Sequence, residues 1–274
     1  MLEIPEAAVI SKQLNETISG KTIQSVIVGQ SPHSFAWYSD VPEAYAASLN
    51  AKTIQHSVNL GGMVEIFTED SCLLFSDGIN LRYHSSIEDQ PAKHQLLITF
   101  TDNSILSASV AMYGGLVCYP IGEYENKYYL VAKEKPSPLT DEFDMNAFLS
   151  LFEPGLEKKS LKAFLATEQR IPGFGNGVLQ DILYLAGLHP KRKVSSLQNS
   201  QKEVLFHTIK ETLQTMTDNN GRDTERDLFG SPGKYLTLMS KNTKGKPCQK
   251  CGSIIQKQSY MGGSIYVCPQ CQTI

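Results

Sequence analysis

The chain has 274 residues, 41% of them hydrophobic and 19% charged, enough for two domains and a small appendage. No apolar run approaches the roughly 18–20 residues that span a bilayer, and the acidic start Met1-Leu2-Glu3-Ile4-Pro5-Glu6 lacks a signal-peptide pattern, so no membrane partner and a cytoplasmic location are expected. The net charge of −3 hides a split: residues 1–150 carry 8 Lys+Arg against 18 Asp+Glu, a balance of −10, and residues 151–274 carry 17 against 10, a balance of +7. The second half therefore either meets a polyanion or exposes an ordinary solvated basic surface.

Apolar positions Ala8, Val9, Ile10 and Leu14 predict a helix over 5–17, with Pro5 suited to its first turn. Strands are expected over 22–28, 53–58, 63–67, 72–76, 94–100 and 105–110. They are punctuated by turns such as Asn59-Leu60-Gly61-Gly62, Thr68-Glu69-Asp70 and Thr101-Asp102-Asn103. This pattern predicts a helix followed by a two-sheet β-sandwich, with Cys72 and Cys118 as buried thiols. Residues 134–140, with Pro136 and Pro138, read as a linker. Helices follow over 142–151, 160–168, 178–186 and 196–216. Between the second and third lies Ile171-Pro172-Gly173-Phe174-Gly175-Asn176-Gly177, a tight loop that could turn backbone N–H groups toward an anion or could simply connect two helices.

At the C-terminus Cys248 and Cys251 form one C-x-x-C knuckle and Cys268 and Cys271 another, sixteen residues apart. Four thiolates at that spacing suit one tetrahedral Zn²⁺; a pair of disulfides is the alternative. Gly252 and Gly262-Gly263 permit the turns of a short β-ribbon, and Pro247 and Pro269 help fix the knuckles. Zinc thiolates and free thiols fit a reducing compartment. A finger at the end of a chain this long reads as an appended binding element.

Taken in order, these segments resemble the formamidopyrimidine-DNA glycosylase/endonuclease VIII (Fpg/Nei) family of base-excision repair enzymes, over nearly the whole length. Thr167-Glu168-Gln169 through Gly173-Phe174-Gly175-Asn176 is similar to the family's helix–two-turn–helix signature, continued by Asp181 and Ala186-Gly187-Leu188-His189-Pro190. Gly221-Arg222-Asp223-Thr224-Glu225-Arg226-Asp227 and Gly245-Lys246-Pro247-Cys248 resemble the segments before and at the finger. Leu2-Glu3-Ile4-Pro5-Glu6 matches the family's Pro-Glu-Leu-Pro-Glu at Glu3, Pro5 and Glu6 but places leucine where the catalytic proline stands.

The resemblance implies an α+β multidomain fold: an N-terminal catalytic-like domain over 1–134, a helix–two-turn–helix DNA-binding domain over 135–240 and a four-cysteine zinc ribbon over 241–274. DNA would lie in the cleft between domains, the protein acting as a monomer. In the family an N-terminal amine attacks C1′ of a flipped-out nucleotide, a Schiff base forms and β-elimination nicks the strand. Carried onto this chain, the catalytic group is Met1, Leu2 and Glu3. Leucine at position two is expected to leave Met1 in place, which shifts the amine by one residue, about 3.3–3.6 Å. The resemblance further implies a phosphate clamp of Gly173, Gly175 and Asn176, DNA contacts from Tyr113 and Arg222, and zinc on Cys248, Cys251, Cys268 and Cys271, while Lys162, Lys191 and Arg192 could track a DNA backbone or simply be solvated surface residues. Three cationic or wedge positions of the family fall on Met63, Ala111 and Gly263. The expected function is a DNA glycosylase/abasic-site lyase with an altered nucleophile acting on damaged or abasic duplex DNA; the alternative is a non-catalytic binder of damaged DNA on the same scaffold.

Overall fold

Pro5 occupies the first turn of α1 (Ile4–Ile18) in a computed structural model that describes residues 1–39 and 41–274. The helix buries Ile4, Ala7, Ile10, Leu14 and Ile18, the stripe its 3.6-residue period dictates. By packing, the chain forms two units: Met1–Lys127 with Glu225–Pro232, and Tyr128–Thr224 with Gly233–Ile274.

In the first unit α1 is followed by β1 (Ile23–Val28), β2 (Ala36–Trp37), α2 (Ala44–Leu49), β3 (His56–Leu60), β4 (Met63–Phe67), β5 (Ser71–Phe75), β6 (Ile79–His84), β7 (Leu96–Phe100), β8 (Ile105–Val110) and β9 (Gly114–Pro120). The strands make two sheets, ordered β1-β7-β8-β6 and β2-β9-β5-β4-β3. The expected sandwich is there, with three strands more than sequence patterning gives. β9 (GGLVCYP) opens on two glycines, β6 (INLRYH) mixes polar and apolar residues, and β2 is two residues long, so none carries a clean two-residue alternation. Val64, Ile66, Leu73, Phe75, Leu96, Ile98, Leu106 and Ala108 fill the core together with Leu14 and Ile18 of α1. Leu228, far along the chain, is fully buried in the same core. Cys72 is buried and Cys118 half-buried; burial pushes their thiols up to about 12 and about 11, so both stay protonated and inert at neutral pH.

One edge of this unit carries an ion pair with a measurable pH signature. Lys21 donates to Asp102, to Tyr83 Oη at 3.3 Å and to Ser104 Oγ at 3.0 Å. Lys21 and then Ser104 pull the Asp102 carboxyl down to about 2. A depressed carboxylate stabilises the fold above its ordinary pKa of about 3.9, and that stabilisation fades as pH falls toward the folded value. Asp102→Asn is therefore expected to cost up to about 1 kcal/mol at pH 6, the upper end for so exposed a pair. The gap between the urea midpoints of the two proteins should narrow as pH falls through 4 toward 2.

The second unit starts within α3 (Lys127–Glu134), which has no strong apolar periodicity to announce it, and continues with irregular chain over 135–144. It then adds α4 (Met145–Ser150), α5 (Leu161–Ala166), α6 (Asn176–Leu185), α7 (Asn199–Asp218) and a ribbon of β10 (Gln256–Tyr260) and β11 (Gly263–Val267). Asp144 caps α4 and Ser160 caps α5 by accepting backbone N–H bonds. The helices close over an aromatic cluster of Phe143, Phe148, Phe152, Phe164 and Phe206. The ribbon packs on α6 through Tyr184, Met239, Cys248, Ile255 and Cys268. Among the described residues no helix is long and apolar enough to cross a membrane.

Candidate functional site

The chain reaches α1 through three residues with distinct fates. Leu2 is buried in the sandwich core, and its nitrogen donates to the Asp77 carbonyl at 2.7 Å. Glu3 sits at the N-cap with extended backbone and no capping bond from its side chain; it and Glu6 are each 4% exposed. Met1 remains outside, its α-amine 2.5 Å from Glu225 Oε2. Asp77 adopts a left-handed conformation (φ +60°) in the turn before β6. Burial pushes its carboxyl up, against the lowering effect of the Ser76 hydroxyl.

Glu225 belongs to a loop, 225–232, pinned to the sandwich. Gln13 bonds it twice, donating from Nε2 to Asp227 Oδ2 at 3.0 Å and accepting at Oε1 from Leu228 N at 3.0 Å. Arg82 Nη1 donates to Asp227 O at 3.0 Å, and Tyr83 N to Leu228 O at 3.0 Å. With the loop so placed, Met1, Leu2, Glu6, Arg82, Glu225 and Arg226 surround a cavity of about 10 Å³, at the lower limit for one water. The Met1 α-amine thus lies at the wall of a space that holds no more than about one water, beside the Glu225 carboxylate.

The second unit gathers a different set around the ribbon turn. Gly173 has φ +77°, Gly175 caps α6 in extended conformation, and Asn176 opens the helix. Asn176 Nδ2 donates to Ser264 O at 3.0 Å, and Lys162 Nζ donates to Tyr260 O at 2.8 Å. Lys162 is 5% exposed, and that burial lowers its pKa. Lys191 Nζ donates to Gln258 Oε1 at 2.7 Å and lies 5.5 Å from the Tyr260 ring centroid. Gly263 faces these donors: a Cβ there would stand 3.4 Å from Lys162 Nζ and 4.0 Å from Asn176 Nδ2.

The Sγ atoms of Cys248, Cys251, Cys268 and Cys271 lie within 4.8 Å of one another. Cys248 and Cys271 are 3.8 Å apart and Cys251 and Cys268 3.4 Å, too far for disulfides of about 2.05 Å. A tetrahedron of metal–sulfur bonds of about 2.3 Å has edges near 3.8 Å, so this donor set suits one metal ion with shifts of no more than about 1 Å. Tyr184 Oη lies 3.1 Å from Cys248 Sγ and buttresses that ligand.

Residues 135–226 match the family profile described as the formamidopyrimidine-DNA glycosylase H2TH domain. The formamidopyrimidine-DNA glycosylases of Bacillus licheniformis and Bacillus subtilis are each 29% identical to this chain, over 99–100% of it and 99% of their own length. A crystal structure of the Lactococcus lactis Fpg with abasic-site DNA superposes with a TM-score of 0.85 at 26% identity, covering 99% of this chain and all of that one. Along its whole length the chain is similar to the formamidopyrimidine-DNA glycosylases, and its residues 135–226 match their H2TH domain. MutM (Fpg) from Thermus thermophilus shares the fold, with a TM-score of 0.81 at 21% identity.

In this chain the structure brings Met1, Leu2 and Glu3 together at the start of α1, and Lys162, Lys191 and Asn176 together at the ribbon turn. Two arginines singled out from sequence lie elsewhere. Arg192 is engaged by Ser196 Oγ and O and by Gln201 Oε1, at 2.8–2.9 Å. Arg222 is 2% exposed, with its charge felt by Asp181 and Tyr235. Tyr113 is at the tip of the β8–β9 loop. Sequence reasoning missed Glu225 and Asp77, the partners of the first two nitrogens. It also missed Gln180, which donates to Asn176 Oδ1 at 3.1 Å and accepts from Tyr266 N at 2.9 Å. Apart from Gln180 and Asn176, one turn apart on α6, these contacts join residues too distant in the chain to leave a local pattern.

Proposed function

We propose that this chain is a DNA-repair glycosylase and abasic-site lyase that acts on damaged or abasic duplex DNA through the α-amine of Met1, with Zn²⁺ in its four-thiolate ribbon. What carries the reading is the contrast between the first two nitrogens: that of Leu2 is committed to Asp77 O, while that of Met1 stands free of the backbone, 2.5 Å from Glu225. On an abasic sugar the amine adds to the C1′ aldehyde and water leaves to form an imine. A carboxylate, here Glu3, takes the C2′ proton, and the 3′ phosphate departs with the bonding electrons. On a damaged nucleotide the same attack displaces the base from C1′. The abasic-site DNA held by the Lactococcus lactis protein supports DNA as the partner.

An incoming sugar must displace the Glu225 carboxylate from the Met1 amine before a C–N bond can form. Glu225→Gln is therefore expected to raise the yield of borohydride-trapped adduct on an abasic oligonucleotide about fivefold, the equivalent of an ion pair worth about 1 kcal/mol. Peptide mapping should place the adduct on Met1. Tight binding without an adduct in either protein would remove the amine from the mechanism. It would favour the second reading, a non-catalytic binder of damaged DNA, for which the nearly filled cavity beneath loop 225–232 speaks. Glu3→Gln assayed on base-lesion duplexes then separates such a binder from a glycosylase that uses water.

A further inference from the structure

The β8–β9 loop carries Tyr113, a DNA contact expected from the resemblance, beside two large side chains that no function assigned so far absorbs. Met112 and Tyr113 are 64% and 36% exposed, and Trp37 of β2 beside them is 49% exposed. The Trp37 and Tyr113 rings touch, their centroids 5.7 Å apart and their planes tilted by 36°. Large aromatic faces left in water at the tip of a loop are costly unless something covers them.

The loop that presents them is fixed by its backbone. β2 runs parallel to β9 with Ala36 opposite Gly114 and Trp37 opposite Gly115, and Gly114 N donates to Phe35 O at 3.0 Å. On the other side Gly78 N donates to Tyr113 O at 2.9 Å and Ala111 N to Gly78 O at 3.0 Å. A Cβ on Gly78 would fall 2.6 Å from Tyr113 O, so the close approach requires glycine there, and one on Gly114, 2.7 Å from Ile79 Cδ1, would force the Ile79 side chain to move. The backbone that carries the rings is thus fixed before any ligand arrives. They are also joined to the candidate amine: Asp77 O holds Leu2 N, and Gly78, the next residue, holds Tyr113.

We infer that Trp37 and Tyr113 form a two-ring stacking platform for unpaired nucleobases of the DNA at the Met1 site, giving the protein a preference for unstacked or single-stranded DNA over intact duplex. This rests on the reading of the chain as a DNA-binding protein. Because the rings are in contact, no base fits between them; bases stack on their shared outer surface. Ala111, at the start of the loop, offers no charge or hydrogen bond to a base edge, so recognition by ring stacking is tolerant of sequence. Continuity with the Met1 site favours a nucleobase over a protein side chain as the occupant.

Trp37 is the chain's single tryptophan, so intrinsic emission reports on this ring alone. End-labelled oligonucleotides, single-stranded, abasic duplex and intact duplex, are titrated while label anisotropy and Trp37 emission are followed together. Single-stranded and abasic DNA are expected to quench Trp37 over the concentrations at which anisotropy rises, and intact duplex to bind more weakly. Trp37→Leu and Tyr113→Leu should each weaken binding about 5- to 100-fold, the loss expected of one stacked base, with Trp37→Phe recovering part of it. Anisotropy that rises with Trp37 emission unmoved, or unchanged affinity in Trp37→Leu, overturns the platform and leaves the DNA-binding reading standing. No anisotropy change with any oligonucleotide removes both.

Discussion

Cys268→Ser is expected to release the ribbon's metal and lower affinity for abasic DNA by at least tenfold. Cys268 is fully buried, and its Sγ stands 3.4 Å from that of Cys251 within the four-sulfur cluster. The hairpin it organises has only five residues per strand, and an isolated hairpin of that size is marginal in water. Metal binding supplies about 10–16 kcal/mol in comparable zinc peptides, so losing it amounts to unfolding the ribbon. The effect spreads because Tyr260 O and Ser264 O, the acceptors for Lys162 and Asn176, belong to the same ribbon. Zinc content by mass spectrometry, read beside DNA affinity, tests the chain of cause. Proven metal loss with unchanged affinity would show that the ribbon takes no part in binding.

Asp181→Ala should destabilise the second unit by about 3–5 kcal/mol. Asp181 is 1% exposed and lies on α6. Its Oδ2 accepts from Leu238 N at 2.8 Å and its Oδ1 from Met239 N at 2.7 Å. Burial pushes its carboxyl up, while those two backbone N–H groups, Tyr235 and Arg222 pull the other way. Alanine strands two backbone donors and deprives the buried Arg222 of a nearby negative charge. Asp181→Asn keeps one acceptor oxygen and should lose roughly half as much. Urea unfolding of the three proteins measures this, and a loss below about 1 kcal/mol for alanine would mean that water replaces the carboxylate.

Much of this was visible in the residues, and the boundary is instructive. The four cysteines announce their site because metal geometry constrains spacing as well as residue type, and the spacing is local. The helix at 4–18 and the strands at 63–67 and 105–110 follow from apolar periodicity. β9 is hidden because Gly114 and Gly115 interrupt any apolar alternation at its start, and at Gly114 a Cβ would meet the Ile79 side chain at 2.7 Å. Lys162 and Asn176 read as free cationic and amide groups, yet each is already bonded to a ribbon carbonyl nearly a hundred residues on. The pairing of Met1 with Glu225 is equally invisible, because nothing local distinguishes Glu225 from any exposed acid.

The burial of Leu228 has a consequence for how the protein comes into being. The sandwich is formed by the first 127 residues, but its core is completed by a side chain and its edge bonded by a loop synthesised a hundred residues later. On the ribosome the first unit must therefore wait, with a gap in its interior, until residue 232 has cleared the exit tunnel. A fragment ending at residue 127 would carry the same vacancy permanently, and a peptide spanning 225–232 would be its natural complement.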